Sequence, residues 1–209
     1  IIKDRLYCEE KDGTLRRSAQ TALFLILDTL TKIMAPILCF TCDEIWQAMP
    51  HRTSDDARNV LFNDMNQPFQ DYDLGAMVSW AELIQLRTGV NAALESARAE
   101  KKLGKSLEAH VVLVKDPDYR TDMLQHLQAK FADQWADLFI VSDVEVSEDS
   151  ALYAQAAETP IAGVRALIQA AKGQKCERCW KQSLSVGSDG AHPTLCPRCA
   201  AVVAKLPQF

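Results

Sequence analysis

Late in the sequence four cysteines fall into two tight pairs, Cys176-x2-Cys179 and Cys196-x2-Cys199, with 16 residues between the pairs. A Cys-x2-Cys turn aims two thiolates at one point. Two such turns, joined by a loop whose Gly187, Gly190 and Pro193 supply the bends, offer the four sulfur ligands of a tetrahedral zinc ion. With Cys176, Cys179, Cys196 and Cys199 filling the shell, no position is left open to a substrate, so the expected ion is single and structural. Its binding energy, about 10 to 16 kcal/mol in small zinc modules, folds a segment too short to hold a core. Redox dithiols are the weaker reading of the pattern, and His192 is superfluous once four sulfurs are in place.

The residues threaded through the knuckles suggest what such a module could touch. Arg178 and Trp180 flank Cys179, Lys175 and Lys181 lie just outside, and Arg198 sits inside the second pair. An arginine and a tryptophan held by a metal knuckle can stack on unpaired nucleic-acid bases, each contact being worth about 1 to 3 kcal/mol. The competing reading packs Trp180 beneath the zinc module as its hydrophobic support. Charge is permissive: the chain carries a net −5, yet residues 151–209 hold seven basic and three acidic groups. Local contacts with phosphates depend on charge at the contact and not on the sum.

No catalytic constellation stands out. Gly104-Lys105-Ser106 lacks the glycine a phosphate-binding loop needs five positions earlier, where Ala99 stands. No serine has the surroundings of a nucleophile elbow, and His51, His110 and His126 are isolated. Seven cysteines, an odd number with four in metal-type pairs, suit a reduced compartment better than a disulfide framework. The most apolar stretch, Ala22 to Leu27, is far below the ~20 residues that span a bilayer, so the expected location is cytoplasmic with no membrane partner. The sequence opens Ile1-Ile2-Lys3 inside an amphipathic segment, which reads as a piece of something longer.

The elements that must position these residues follow from periodicity. Leu15, Ala19, Ala22, Leu23, Ile26, Leu30 and Met34 recur at helical spacing and predict a helix over 14–35 with one apolar stripe, broken at Pro36. A second helix is expected over 37–48. Met77, Ala81, Ile84, Val90, Leu94 and Ala97 predict a third, stopping at Gly104. Leu107 to Leu113 alternates as a half-buried strand, two short helices are expected over 119–129 and 131–137, and Leu138 to Val146 reads as a second strand. Val164 to Ala170 is taken as a strand. The expectation is a mainly α protein: a helical bundle over 1–104, a small α/β unit over 105–160 and a four-cysteine zinc-finger module over 161–209.

The string Lys175-Cys176-Glu177-Arg178-Cys179-Trp180, followed by Cys196-Pro197-Arg198-Cys199, resembles the zinc finger shared by bacterial isoleucyl-tRNA synthetases and some DNA glycosylases. Two further strings look like the anticodon-binding helical domain of the isoleucyl, valyl and leucyl class I synthetases: Ile2-Lys3-Asp4-Arg5-Leu6-Tyr7-Cys8, and Ile33-Met34-Ala35-Pro36-Ile37-Leu38 running on to Phe40-Thr41 and Asp43-Glu44-Ile45-Trp46. Gly104-Lys105-Ser106-Leu107-Glu108-Ala109 is most similar to the isoleucyl branch. The chain departs from the family where Cys39 and Cys42 replace its usual Pro and Ala, and buried inert thiols are expected there.

The resemblance implies the anticodon-binding and zinc-finger region near the C-terminus of an isoleucyl-tRNA synthetase. The parent enzyme would join isoleucine to tRNA with ATP, through a catalytic domain whose His-Ile-Gly-His-like and Lys-Met-Ser-Lys-Ser-like signatures do not occur here. Implied partners are the anticodon stem-loop of tRNA(Ile) and that catalytic domain of the same chain. Beyond Arg178, Trp180 and Lys181, the candidate tRNA contacts are Arg16, Arg17, Arg87, Arg98, Lys101, Lys102 and Lys105, with the zinc knuckle closing over the loop from the other side. The alternatives are a glycosylase-type finger that enters duplex DNA, a zinc ribbon for protein docking, and a valyl or leucyl synthetase.

Overall fold

Pro36 ends the first long helix as its ring requires: α2 runs Thr14–Met34 and α3 resumes at Cys39–Ala48. The structure, a computed structural model, describes residues 2–68, 74–119 and 122–206. The chain divides into two compact units, one of Ile1–Cys8 with Asp73–Phe209 and one of Glu9–Tyr72. Topologically the second is an insertion into the first.

In the inserted unit a short 3-10 helix, Val60–Phe62, joins α2 and α3 around a small core of Ala35, Cys42, Trp46 and Val60. The apolar stripe expected to be the packed face of α2 is not: Ile26 and Leu30 are 57% and 54% exposed, while Ala19, Asp28, Thr31 and Lys32 are buried. The helix turns its polar side inward because that side meets charged partners. Lys32 lies between Asp28 and Asp55 and over the Trp46 ring at 5.2 Å, and Arg52 reaches Asp28 at 2.9 Å. Cys42 is buried as expected, but Cys39 is exposed on the first turn of α3.

The larger unit opens with α1, Ile2–Tyr7, and resumes with α4, Leu74–Ala99. After a 3-10 turn at Ser106–Glu108 come β1 (Ala109–Lys115), α5 (Met123–Phe131), α6 (Trp135–Phe139), β2 (Asp143–Ser147) and α7 (Ser150–Gln155), then β3 (Ala157–Glu158) and β4 (Val164–Ala170). The sheet order is β2-β1-β4-β3, with β1 parallel to β2 and antiparallel to β4. Two residues of the expected helix over 119–129, positions 120 and 121, lie outside the described residues.

The expected strand over 138–146 begins later than predicted. Phe139 is still helical and Ile140, at φ 59°, forms a left-handed cap on α6 before β2 starts. The half-buried reading of β1 is corrected as well. Val111 and Leu113 face α4, α5 and α6, while Val112 and Val114 are buried against Ala156 of the segment after α7, so both faces of the strand are covered.

The buried stripe of α4, Leu83, Leu86, Val90, Ala93, Leu94 and Ala97, belongs to one core with Val111, Leu113, Leu127 and Phe139. The helix therefore packs on the sheet as part of the α/β body, and among the described residues the inserted unit holds only α2, α3 and the 3-10 turn as helices.

Candidate metal centre

A pair of two-residue strands, β5 (Gln174–Lys175) and β6 (Gln182–Ser183), forms a hairpin whose tip carries the first knuckle. Gly173, at φ 94°, permits its entry: a Cβ there would stand 2.2 Å from the Ser183 carbonyl carbon. The second knuckle sits at the start of α8, Pro197–Val203, with Pro197 at the first position, where a missing N–H costs nothing.

These turns bring together the sulfurs of Cys176, Cys179, Cys196 and Cys199, all within 4.8 Å of one another, with Cys179 Sγ 3.9 Å from Cys196 Sγ. Tetrahedral bonds of ~2.3 Å would set sulfurs about 3.8 Å apart, so the spacing fits a zinc-sized ion. The electrostatics agree. Burial alone would raise the Cys176 thiol, but backbone N–H groups of Cys179, Cys196 and Arg178 directed at its sulfur bring it down to about 6. The Cys196 N–H is 3.4 Å from that sulfur. Burial and the charge of neighbouring thiolates push Cys179 and Cys199 up, which is the repulsion a dication would relieve. Cys8 packs against the group, yet burial and the carboxylate of Asp4 push it to about 11 and keep it a thiol.

The expected nucleic-acid contacts are placed unequally. Trp180 is 57% exposed and held at φ 67°, a backbone conformation uncommon for a bulky side chain. Its N–H bonds the Cys176 carbonyl at 2.9 Å, its indole Nε1 donates to the Glu177 carbonyl at 3.1 Å, and Lys175 Nζ lies 5.3 Å from its ring centroid. The knuckle turn thus presents the indole outward instead of burying it. Arg178 is turned inward: its guanidinium donates to the carbonyls of Cys8 at 2.5 Å and Tyr7 at 3.2 Å. Lys181 pairs with Asp137 on α6, and the Gln182 N–H donates to Ser142 Oγ at 2.7 Å, which ties the hairpin to the sheet body.

Of the other candidates, Arg87 donates to the Leu138 carbonyl at 2.8 Å, and Arg98 pairs with Glu95 and bonds Ser106. Lys102 pairs with Glu100 at 2.6 Å, and Lys101 and Lys105 are exposed near the end of α4. Arg17 pairs with Asp12 at 2.6 Å and Arg16 is half-buried, both on α2 in the inserted unit. Asp4 is not among the residues the motifs single out, and Arg198 is singled out only for its place inside the second pair. Arg198 grips both carboxylate oxygens of Asp4, at 2.6 and 2.8 Å. Burial would raise the Asp4 carboxyl, but the hydrogen bonds and charge of Arg198 outweigh it and hold it below its ordinary value. The available signal was the repeat itself, since each knuckle reads Cys-x-Arg-Cys. No described helix is long and apolar enough to cross a membrane.

Residues 173–202 match the zinc finger found in FPG and IleRS, and residues 1–113 match the anticodon-binding domain of tRNA ligase. The chain is 41% identical over 203 residues to isoleucine–tRNA ligases of Geobacter sulfurreducens and of Syntrophotalea carbinolica, and 40% identical over 207 residues to that of Edwardsiella ictaluri. Each alignment takes in 97% or 98% of this chain, which spans 21% of the length of those relatives. The helical match ahead of the finger does not favour the DNA-glycosylase alternative. With an anticodon-binding domain over 113 of its 209 residues and isoleucine–tRNA ligases as relatives along nearly all of it, the chain belongs to the anticodon-binding domain family of the tRNA ligases.

Proposed function

We propose that this chain is the tRNA-reading part of an isoleucine–tRNA ligase and that Cys176, Cys179, Cys196 and Cys199 hold one structural zinc ion. The observation that carries the reading is the order of two matches in one chain, an anticodon-binding domain followed by a zinc finger of the FPG and IleRS type. The clustered sulfurs support the metal, which when bound supplies a rigid crosslink and no reactive position. The parent enzyme, working in the cytoplasm, attaches isoleucine to tRNA(Ile) with ATP at a catalytic domain elsewhere in its chain. The part described here binds the anticodon stem-loop.

Trp180 is the strongest candidate for base contact, because it is exposed on a constrained turn with a cation against its ring. Lys101, Lys105 and Arg98 in one unit, and Arg16 and Arg17 in the other, are proposed to meet phosphates, which position an RNA without reading it. Arg178 and Lys181 would act by shaping the knuckle that carries Trp180.

The test is a zinc-replete titration of the chain against tRNA with and without an isoleucine anticodon. Preference for the isoleucine anticodon, and a loss of about 1 to 3 kcal/mol in Trp180→Ala, are expected. Equal affinity for both tRNAs would overturn the anticodon reading. No binding to either tRNA, and so no salt-dependent affinity, would argue for a protein-docking ribbon instead.

A further inference from the structure

The string Ile2-Lys3-Asp4-Arg5-Leu6-Tyr7 forms α1, a helix of six residues with none of them buried. So short a helix is not stable alone, since nucleation costs more than its few hydrogen bonds return. Its last carbonyls also lack partners within the helix. Both deficits are met from the zinc knuckles. Arg178 caps the C-terminal carbonyls of Tyr7 and Cys8, and Arg198 forks onto Asp4 with two charge-assisted bonds across 194 residues of sequence. Cys8 returns a weaker contact, its Sγ lying 3.8 Å from the Arg178 carbonyl oxygen. Arg5 adds a bond to Gln134 at 2.6 Å on the sheet body.

The two arginines occupy the same place in their motifs, immediately before the second cysteine of each pair. Each Cα is therefore one residue from a proposed metal ligand, and a bound metal would fix the spacing of the two backbone positions. A surface ion pair alone is worth little. Here the fork is half-buried, with Arg198 and Asp4 side chains 34% and 18% exposed, and it acts together with a second arginine on the same short helix.

We propose that Arg178 and Arg198 are positioning residues through which the zinc module latches α1, so that metal loading and docking of α1 form one coupled equilibrium. The helix ends just before the inserted unit begins in the chain, at Glu9. Coupling of this kind is reciprocal: if zinc favours docked α1, docked α1 favours zinc. The inference rests on the metal reading of the four cysteines and is independent of RNA binding.

The experiment uses the reduced 209-residue chain. Hydrogen exchange at the Cys8 amide, bonded to the Asp4 carbonyl at 2.7 Å, is compared with and without zinc. Protection there should vanish on chelation while amides of Val112 and Val114 in β1 keep theirs. Zinc affinity is then measured against a chromophoric chelator. Asp4→Asn and Arg198→Gln should each weaken it roughly fivefold or more, and the double variant should be no worse than either single one. Arg198→Lys, which keeps charge but loses the fork, should fall between. Unchanged Cys8 exchange on zinc removal, or native zinc affinity in Asp4→Asn, would overturn the latch while leaving the metal site standing. Absence of zinc binding altogether would overturn both.

Discussion

Asp28 and Lys32, one turn apart on α2, form an ion pair of 3.1 Å in which neither side chain is more than 4% exposed. Asn66 donates to Asp28 at 2.7 Å, Lys32 Nζ donates to the Asn66 side-chain oxygen at 3.3 Å, and Arg52 lies 2.9 Å from Asp28. The inserted unit is thus centred on charge. Removing one partner of a buried pair leaves the other desolvated and underpaired, at a cost of about 3 to 5 kcal/mol. Lys32→Met is expected to destabilise the inserted unit by the lower end of that range, because Arg52 still faces Asp28. The check is denaturant-dependent hydrogen exchange at α2 and α3 amides, and an unchanged midpoint would show that the pair contributes nothing.

The same carboxylate sets a pH dependence. Burial would raise Asp28, but hydrogen bonds from Asn66 and Lys32 and the charges of Lys32 and Arg52 outweigh it and lower it below its ordinary value of 3.8. A carboxyl depressed on folding gives stability that is complete above the ordinary value and is lost as pH falls through the depressed one. The inserted unit should therefore weaken on acidification below about pH 4. Asp28→Asn should be weaker at neutral pH and lose most of that slope, which repeating the exchange measurement across the acid range would reveal.

Gly89 sits inside α4, where glycine is ordinarily a poor choice relative to alanine by about 1 kcal/mol. A Cβ at this position would lie 2.6 Å from Thr159 Cβ and 2.9 Å from both Thr159 Cα and Pro160 Cδ. Gly89→Ala is expected to destabilise the larger unit by about 1 to 3 kcal/mol despite the better helix propensity. Thermal unfolding of the variant decides, and a raised midpoint would mean that the segment after β3 yields freely.

Metal removal should be local at first. The zinc module has little core beyond Cys176, Cys179 and Cys199, helped by Val186 and Leu195. Chelation, or Cys199→Ser, should abolish exchange protection over 174–183 and in α8, while the β2-β1-β4 pairing persists. Protection that survived quantitative zinc loss would show the hairpin to be stable without a crosslink, contrary to the expectation for so short a segment.

The sequence revealed what is encoded over short separations. Two Cys-x2-Cys turns, the stop at Pro36, and the strand between Gly163 and Gly173 each follow from neighbours in the chain. It misled where tertiary partners decide. The stripe through Ile26 and Leu30 has the right period for α2, yet the inward face is chosen by Trp46, Arg52 and Asp55, which no periodicity in α2 encodes. The partners of Arg178 are likewise invisible from Cys179 and Trp180 beside it, being carbonyls some 170 residues earlier. Neighbours in the chain leave the exposure of Trp180 open, and in the fold it is 57% exposed.

The pairing of Asp4 with Arg198 also closes a loop of backbone, because the two gripping residues stand 194 positions apart in the chain. A single protease cut within the inserted unit would leave two pieces that the Asp4–Arg198 clasp still joins, and they should co-elute in low salt. Connectivity of the backbone and integrity of the particle are, in this protein, separate properties.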